Sequence, residues 1–224
     1  MHLKHVSTYL LALVSIIGPN CVSATDQTVL GQAEGGFDSI RRALVKADII
    51  DEVLDDFKPQ CFVVPFYGKK RPVALGNIFK QSKTKERPSM KIYCPKIKST
   101  PGLIISLTDP DAPSRDNPKW SEVCHWIGII PTTGNQQQEL ELTVTNNDWE
   151  HELMEYKPPG PPPKTGYHRY VFVLLQGDIA NLTAPSKRYH WGTGKDRHGV
   201  RNWAKEQGLE VIGANYFIEK NKKQ

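Results

Sequence analysis

The sequence predicts a mostly β protein, all-β or α+β, dominated by antiparallel sheet, on two observations. Short apolar runs of about four to eight residues recur between turn signals rich in proline, glycine, asparagine and aspartate, the pattern of strands. Only two segments, near 37–57 and 198–207, carry apolar residues at helical spacing. Many short strands with few helices argue for an antiparallel architecture. The chain has 224 residues, 38% hydrophobic and 24% charged, with a formal net charge of +5. That composition suits a soluble protein with ample core for one domain. Basic residues are scattered except for Lys220, Lys222 and Lys223, and no recognised motif accompanies them. Nucleic acid is therefore not an expected partner.

Residues 1–24 have the layout of a secretory signal peptide: Lys4, an apolar stretch from Tyr9 to Ile17, then Gly18-Pro19 and Val22-Ser23-Ala24. The apolar run is too short for a membrane span, so no stable membrane insertion is expected. The chain should enter the secretory pathway and be secreted, with the vacuole as the alternative destination. Lys4 is the only charged residue of 1–24, so cleavage takes +5 to +4. Residues 25–36 are expected to form a polar, mobile segment, and 37–224 a single domain.

Ile40, Leu44, Ala47, Ile50, Val53 and Leu54 predict a helix over Phe37–Phe57, with Asp38 or Ser39 as its cap. Strands are expected at Phe62–Tyr67, Val73–Leu75, Lys91–Cys94, Leu103–Thr108, from near His125, and at Leu140–Val144, Val171–Leu175 and Leu209–Ile218. Residues 80–90, KQSKTKERPSM, read as a solvated connection, 134–138 as a surface turn, and 146–155 as a single helical turn. His198–Gln207 reads as a short helix ended by Gly208. The loop 177–186 holds Asn181-Leu182-Thr183, a glycosylation acceptor in a secreted chain.

Removing Cys21 with the signal leaves Cys61, Cys94 and Cys124, an odd number in an oxidising compartment. Cys61 and Cys94 lie in candidate strands flanking a hairpin-like region and are the favoured disulfide. Cys124 precedes His125 and, in an alternating strand, faces away from it as a buried inert thiol. The cysteine spacings match no zinc site.

Two junctions carry the chemistry. The apolar run 103–108 drops into Asp109-Pro110-Asp111-Ala112-Pro113, and a second run begins near His125. The prolines stiffen this corner, and two aspartates two apart in an extended segment would project to one side. The second junction, YKPPGPPPKTGYHRYVFVLL from Tyr156, again brings a rigid loop and a histidine to the mouth of an apolar strand. Such junctions suit a small polar pocket on a rigid scaffold.

The pair DPDAP and Gly166-Tyr167-His168-Arg169 resembles the DPDxP and GxHR motifs of the phosphatidylethanolamine-binding protein family. The resemblance covers about residues 45–218 and includes the Gly-Pro-Pro run before the second motif. It implies a large central antiparallel sheet packed on a smaller one, with peripheral helices. It also implies an anion-binding pocket made of Asp109, Asp111, His125, Gly160, His168 and Tyr170. Tyr156 and Trp120 match aromatic wall positions, Pro113 and 161–163 stiffen the rim, and one X–Pro bond in that run is a candidate for cis.

A phosphate wants N–H and O–H donors, so a carboxylate beside it needs an explanation. Asp109 can hold a histidine protonated, be protonated itself, or meet the ammonium of a zwitterion such as phosphoethanolamine. Arg169, next to His168 in a strand, should face the other way and pair with an acid. The resemblance implies a head-group-binding regulator with no catalytic residues, metal or cofactor. A secreted member resembles the fungal carboxypeptidase Y inhibitor branch, which makes a serine carboxypeptidase the expected partner and 25–36 a candidate inhibitory arm. A phospholipid carrier, or a signalling modulator without protease inhibition, is the alternative. No G-x-S-x-G nucleophile motif favours an enzyme.

Overall fold

Strand β4 (Leu103–Asp109) is buried along its whole length, because both faces of the sheet it belongs to are covered. The computed structural model describes residues 36–68, 71–97, 100, 102–130, 139–149 and 151–224. The expected signal peptide, the 25–36 segment apart from Gly36, and the turn at 134–138 lie outside the described residues.

The remaining strands are β1 (Phe62–Phe66), β2 (Asn77–Lys80), β3 (Ser89–Cys94), β5 (Val123–Ile130), β6 (Leu140–Val144), β7 (Glu152–Met154), β8 (Tyr167–Gln176) and β9 (Glu210–Lys220). They form a six-stranded sheet, ordered β2-β9-β8-β4-β5-β7, and a three-stranded sheet, ordered β1-β3-β6. Every pairing is antiparallel except that of β2 with β9. The sequence pattern led us to expect mostly antiparallel strands, and the resemblance this division into a large and a small sheet.

Period-two alternation divides the apolar residues between two cores. Leu103, Ile105 and Leu107 of β4, with Tyr170, Phe172 and Leu174 of β8, meet Val63, Met90, Ile92, Leu140 and Val144 of the small sheet. Ile104, Val171, Val173 and Leu175 face the other way, toward α1 (Gly36–Lys46) and α2 (Gly199–Glu206). Cys61 and Cys94 are joined as a disulfide that ties the start of β1 to the end of β3.

Local chemistry accounts for the departures from the sequence reading. The first helix stops at Lys46 instead of Phe57, because Asp48 (φ 53°) and Asp51 (φ 85°) turn the chain through the left-handed region, which aspartate tolerates. Ile49, Ile50, Val53 and Leu54 are nevertheless buried, so they keep apolar spacing without a helix. Asp38 lies in the first turn of α1, which opens at Gly36, so neither Asp38 nor Ser39 is its cap.

The strand expected at Val73–Leu75 forms at Asn77–Lys80. Leu75 (φ 45°) and Gly76 (φ 105°) break the extension, and Leu75 N–H donates to Asn215 Oδ1 at 2.9 Å. The 146–155 stretch supplies the edge strand β7 in place of a helical turn. Among the described residues the cis X–Pro bond is Ala112–Pro113, in the DPD corner and not in the later proline run.

Where β5 pairs with β4, Leu107 opposes Trp126 and Thr108 opposes Cys124. His125 is therefore the extra residue of a β-bulge, which re-aims its side chain. The bulge also separates Cys124 and Trp126 into different cores, although they are two apart.

Candidate functional site

The carboxyl end of β4 and the amino end of β8, antiparallel neighbours, bring the two motifs together. Asp109 closes β4, and its Oδ1 accepts the Asp111 N–H at 2.8 Å, an Asx turn that fixes the corner. Its Oδ2 accepts Nδ1–H of His168, the second residue of β8, at 2.9 Å. Both residues are almost fully buried, at 4% and 1% exposure.

The other ring nitrogen of His168 lies 2.9 Å from Thr165 Oγ1. That hydroxyl already donates to the Pro162 carbonyl at 2.8 Å, so its oxygen receives Nε2–H. Both contacts suit the imidazolium form of His168. Burial pushes its pKa down, but the Asp109 hydrogen bond and the charges of Asp109 and Asp111 outweigh this and leave it raised. Of the roles open to Asp109, the structure displays the first: it pairs with a histidine. Both His168 N–H groups are thereby spent inside the protein, so His168 offers positive charge more than a free donor.

Tyr170, two residues on, lies on the same face, and its ring stacks on that of His168. Its hydroxyl accepts the Gly160 N–H at 3.3 Å, which ties the proline-rich loop to the site. The buried phenol is held well above its ordinary pKa, first by burial and then by Asp109 and Glu219. His125 packs edge-on to Tyr170 with ring centroids 5.3 Å apart. Its Nδ1 donates to the Lys157 carbonyl at 2.8 Å, which leaves Nε2 as an acceptor in the neutral ring. Burial lowers its pKa against the pull of Asp109, so the two histidines are shifted in opposite directions.

Tyr156 is half-buried and packs edge-on to Trp126, and its hydroxyl donates to the Thr84 carbonyl at 2.7 Å. Trp120 is 42% exposed and meets Tyr189 edge-on, a rim position rather than a buried wall. Pro113 is half-buried behind the DPD corner. The loop is fastened from residues 221–224 as well: Asn221 Nδ2 donates to the Pro161 carbonyl at 2.9 Å, and Lys164 N–H to the Lys223 carbonyl at 3.0 Å.

Asp111 does not join Asp109 on one side. The extended geometry ends at Asp109, and Asp111 turns to the opposite face, where it is fully buried. There Oδ2 accepts the backbone N–H and Nε–H of Arg169 at 2.8 and 3.0 Å, and Oδ1 accepts Nη2–H at 2.7 Å. Arg169 also donates to Glu52 at 2.6 Å and to the Ala47 carbonyl at 2.7 Å. It thus faces away from His168 and pairs with acids, as strand alternation predicts. Cys124 is a buried free thiol pushed far above its ordinary pKa, chiefly by burial.

Three residues of the site escaped the sequence reading. Tyr67, just after β1, shares a hydrogen bond of 3.0 Å with the Tyr156 hydroxyl. Thr84, in the stretch read as a solvated connection, is fully buried, and its Oγ1 donates to Glu219 Oε2 at 2.8 Å. Glu219 is fully buried on β9, directly across from His168. Extending the last strand two residues past Ile218 would have placed Glu219 on the face of Phe217; nothing in the sequence singles out Thr84. Among the described residues, no group of three or more His, Cys, Asp or Glu side chains is arranged to hold a metal ion. No described helix is long and apolar enough to cross a membrane.

A small sheet packed on a large antiparallel one, with an acid, two histidines and tyrosines gathered at strand ends, defines a known class of β protein. The chain belongs to the phosphatidylethanolamine-binding protein family, whose model matches residues 69–217. It is 29% identical to the carboxypeptidase Y inhibitor of Saccharomyces cerevisiae, over 85% of this chain and 97% of that protein. It also resembles a crystal structure of carboxypeptidase Y inhibitor in complex with the cognate proteinase, with a TM-score of 0.75 and 30% identity, covering 86% of this chain and 100% of that one. A phosphatidylethanolamine-binding protein from Plasmodium vivax shares the fold, with a TM-score of 0.62 at 21% identity over 81% of this chain and 97% of that one.

Proposed function

We propose that this protein binds a phosphorylated or zwitterionic head group such as phosphoethanolamine and regulates a serine carboxypeptidase by inhibiting it. The observation that carries the head-group reading is the buried Asp109–His168 pair beside Tyr170, His125 and Gly160. It places fixed charge, a phenol and a loop amide together at strand ends, the arrangement a compact polar ligand requires. In this reading Asp109, His125, Gly160, His168 and Tyr170 surround the ligand, Tyr156 and Pro113 support the wall, and Trp120 flanks the mouth. Asp111 acts through Arg169 and holds the corner.

Support for inhibition comes from likeness to the carboxypeptidase Y inhibitor over most of both chains. Residues 25–36 are the candidate inhibitory arm. A secretory location is supported by the Cys61–Cys94 disulfide, which persists in oxidising compartments, and by the exposure of Asn181 in its loop. An Asn181-dependent mass shift in protein from a secreting host tests use of the acceptor. Phospholipid carriage is less favoured, because the cluster is nearly closed to solvent and suits a head group more than acyl chains.

The test pairs two measurements on the signal-free chain. Calorimetric titration with phosphoethanolamine is expected to give binding that His168→Ala abolishes. Inhibition of carboxypeptidase Y is expected to be lost on deleting 25–36 while head-group binding is kept. Absence of heat in the parent protein would overturn the head-group reading, and unchanged inhibition after the deletion would overturn the arm. Turnover of phosphoesters lost in His168→Ala would point instead to an enzyme.

A further inference from the structure

Glu219 and His168 oppose each other in the β8–β9 ladder, and side chains of such a pair point to the same face. Glu219 therefore faces the floor of the polar cluster, and none of it is exposed. Its Oε2 accepts from Thr84, whereas Oε1 has no hydrogen-bond partner among the described residues. His168 cannot supply one, because Asp109 and Thr165 take both its N–H groups.

The groups acting on Glu219 are His168 and Tyr170 from β8, Asp109 at the end of β4, Tyr67 after β1, Tyr156 after β7, and Thr84 after β2. Only His168 among them can carry positive charge. Burial, against the Thr84 hydrogen bond, and then the nearby Asp109 push the Glu219 carboxyl up to about 7. A bare, buried carboxylate oxygen is costly, and neutralising it removes that cost.

We propose that entry of an anionic head group into the site is coupled to uptake of one solvent proton by Glu219. The inference rests on the head-group reading above. An incoming negative charge adds to that of Asp109 and further disfavours the ionised carboxyl. The proton can settle on Oε1, which has no bond to break, while Oε2 keeps its bond from Thr84. Glu219 thus adjusts the charge of the site to its occupant, a role distinct from direct ligand contact.

The test uses glycerophosphoglycerol, a phosphodiester with one fixed negative charge and no ammonium, so that the ligand itself does not titrate near neutrality. Wild-type affinity should fall by up to about tenfold per pH unit above about pH 7. Calorimetry in buffers of different ionisation enthalpy should register proton uptake. Glu219→Gln should still bind and lose that component, keeping only any dependence due to His168. Equal slopes and equal proton uptake in the two proteins would overturn the coupling, as would tighter wild-type binding at higher pH.

Carboxyl carbon NMR on the wild type gives a readout independent of the variant's folding. The Glu219 titration should move to higher pH when the ligand is present, and an unmoved titration in the bound protein would overturn the proposal. If neither protein binds the diester or phosphoethanolamine at about pH 6, the head-group reading itself falls and the coupling falls with it. Binding without proton uptake removes the coupling alone.

Discussion

Two carboxylates two residues apart take different cations: Asp109 holds the His168 imidazolium on one face, and Asp111 holds the Arg169 guanidinium on the other. The second pair is fully desolvated and uses Nε–H, Nη2–H and the backbone N–H of one residue. Removing one partner of such a pair leaves an uncompensated buried charge. Arg169→Met is therefore expected to lower unfolding stability by about 3–5 kcal/mol, measured by urea denaturation. A stability within about 0.5 kcal/mol of the parent would mean that Arg169 is not structural. Strand alternation made Arg169 legible from sequence alone. Asp111 was misplaced because the extended geometry that would align it with Asp109 ends at Asp109 itself.

The elements were legible where period-two apolar runs are buried on one or both faces, as in β1, β4, β6 and β8. They were less so where a side chain replaces the backbone as a partner. Asn215, on β9, donates to the carbonyls of Val63 and Val73 and accepts from Leu75, so the chain before β2 is held without a strand of its own. His125 points into the site through a bulge that no local pattern announces. The link between β1 and β3 yields a quantitative expectation. Cys61 and Cys94 are 33 residues apart, and closing a loop of that size stabilises by about 3–4 kcal/mol through restriction of the unfolded chain. The Cys61→Ala, Cys94→Ala double variant should lose that amount in denaturant titrations, and an unchanged midpoint would refute the contribution.

For the whole molecule, the buried titrating groups combine into a pH profile. Burial pushes both Glu122 and Glu219 up to about 7. Between the ordinary carboxyl value of 4.5 and 7, the folded state binds more protons than the unfolded state, so stability falls as pH rises through this window. His168, whose folded pKa is raised, contributes fully below its ordinary value of 6.5, and that contribution is lost as pH rises through the folded value. His125 has the opposite sign: its folded pKa is lowered, and stability is lost as pH falls from 6.5 toward that value. Three groups outweigh one, so melting temperature should decline from about pH 5 to about pH 8. Glu219→Gln should raise it at pH 8 by several degrees and change it little at pH 5, within the roughly 2–4 °C per kcal/mol expected at this size. A melting temperature that rises across the same interval would contradict the assignment.

The Asp-Pro-Asp corner is stiffened by proline, and amides in it and beside it are tied to buried acids. Asp111 N–H is given to Asp109, and Arg169 N–H to Asp111. In the language of amide exchange, these protons can leave only when the corner itself opens, which means separating a guanidinium from Asp111 and an imidazolium from Asp109 at once. Slow exchange is therefore expected at Asp111 and Arg169, and a ligand arriving at His168 would meet a wall that is already set.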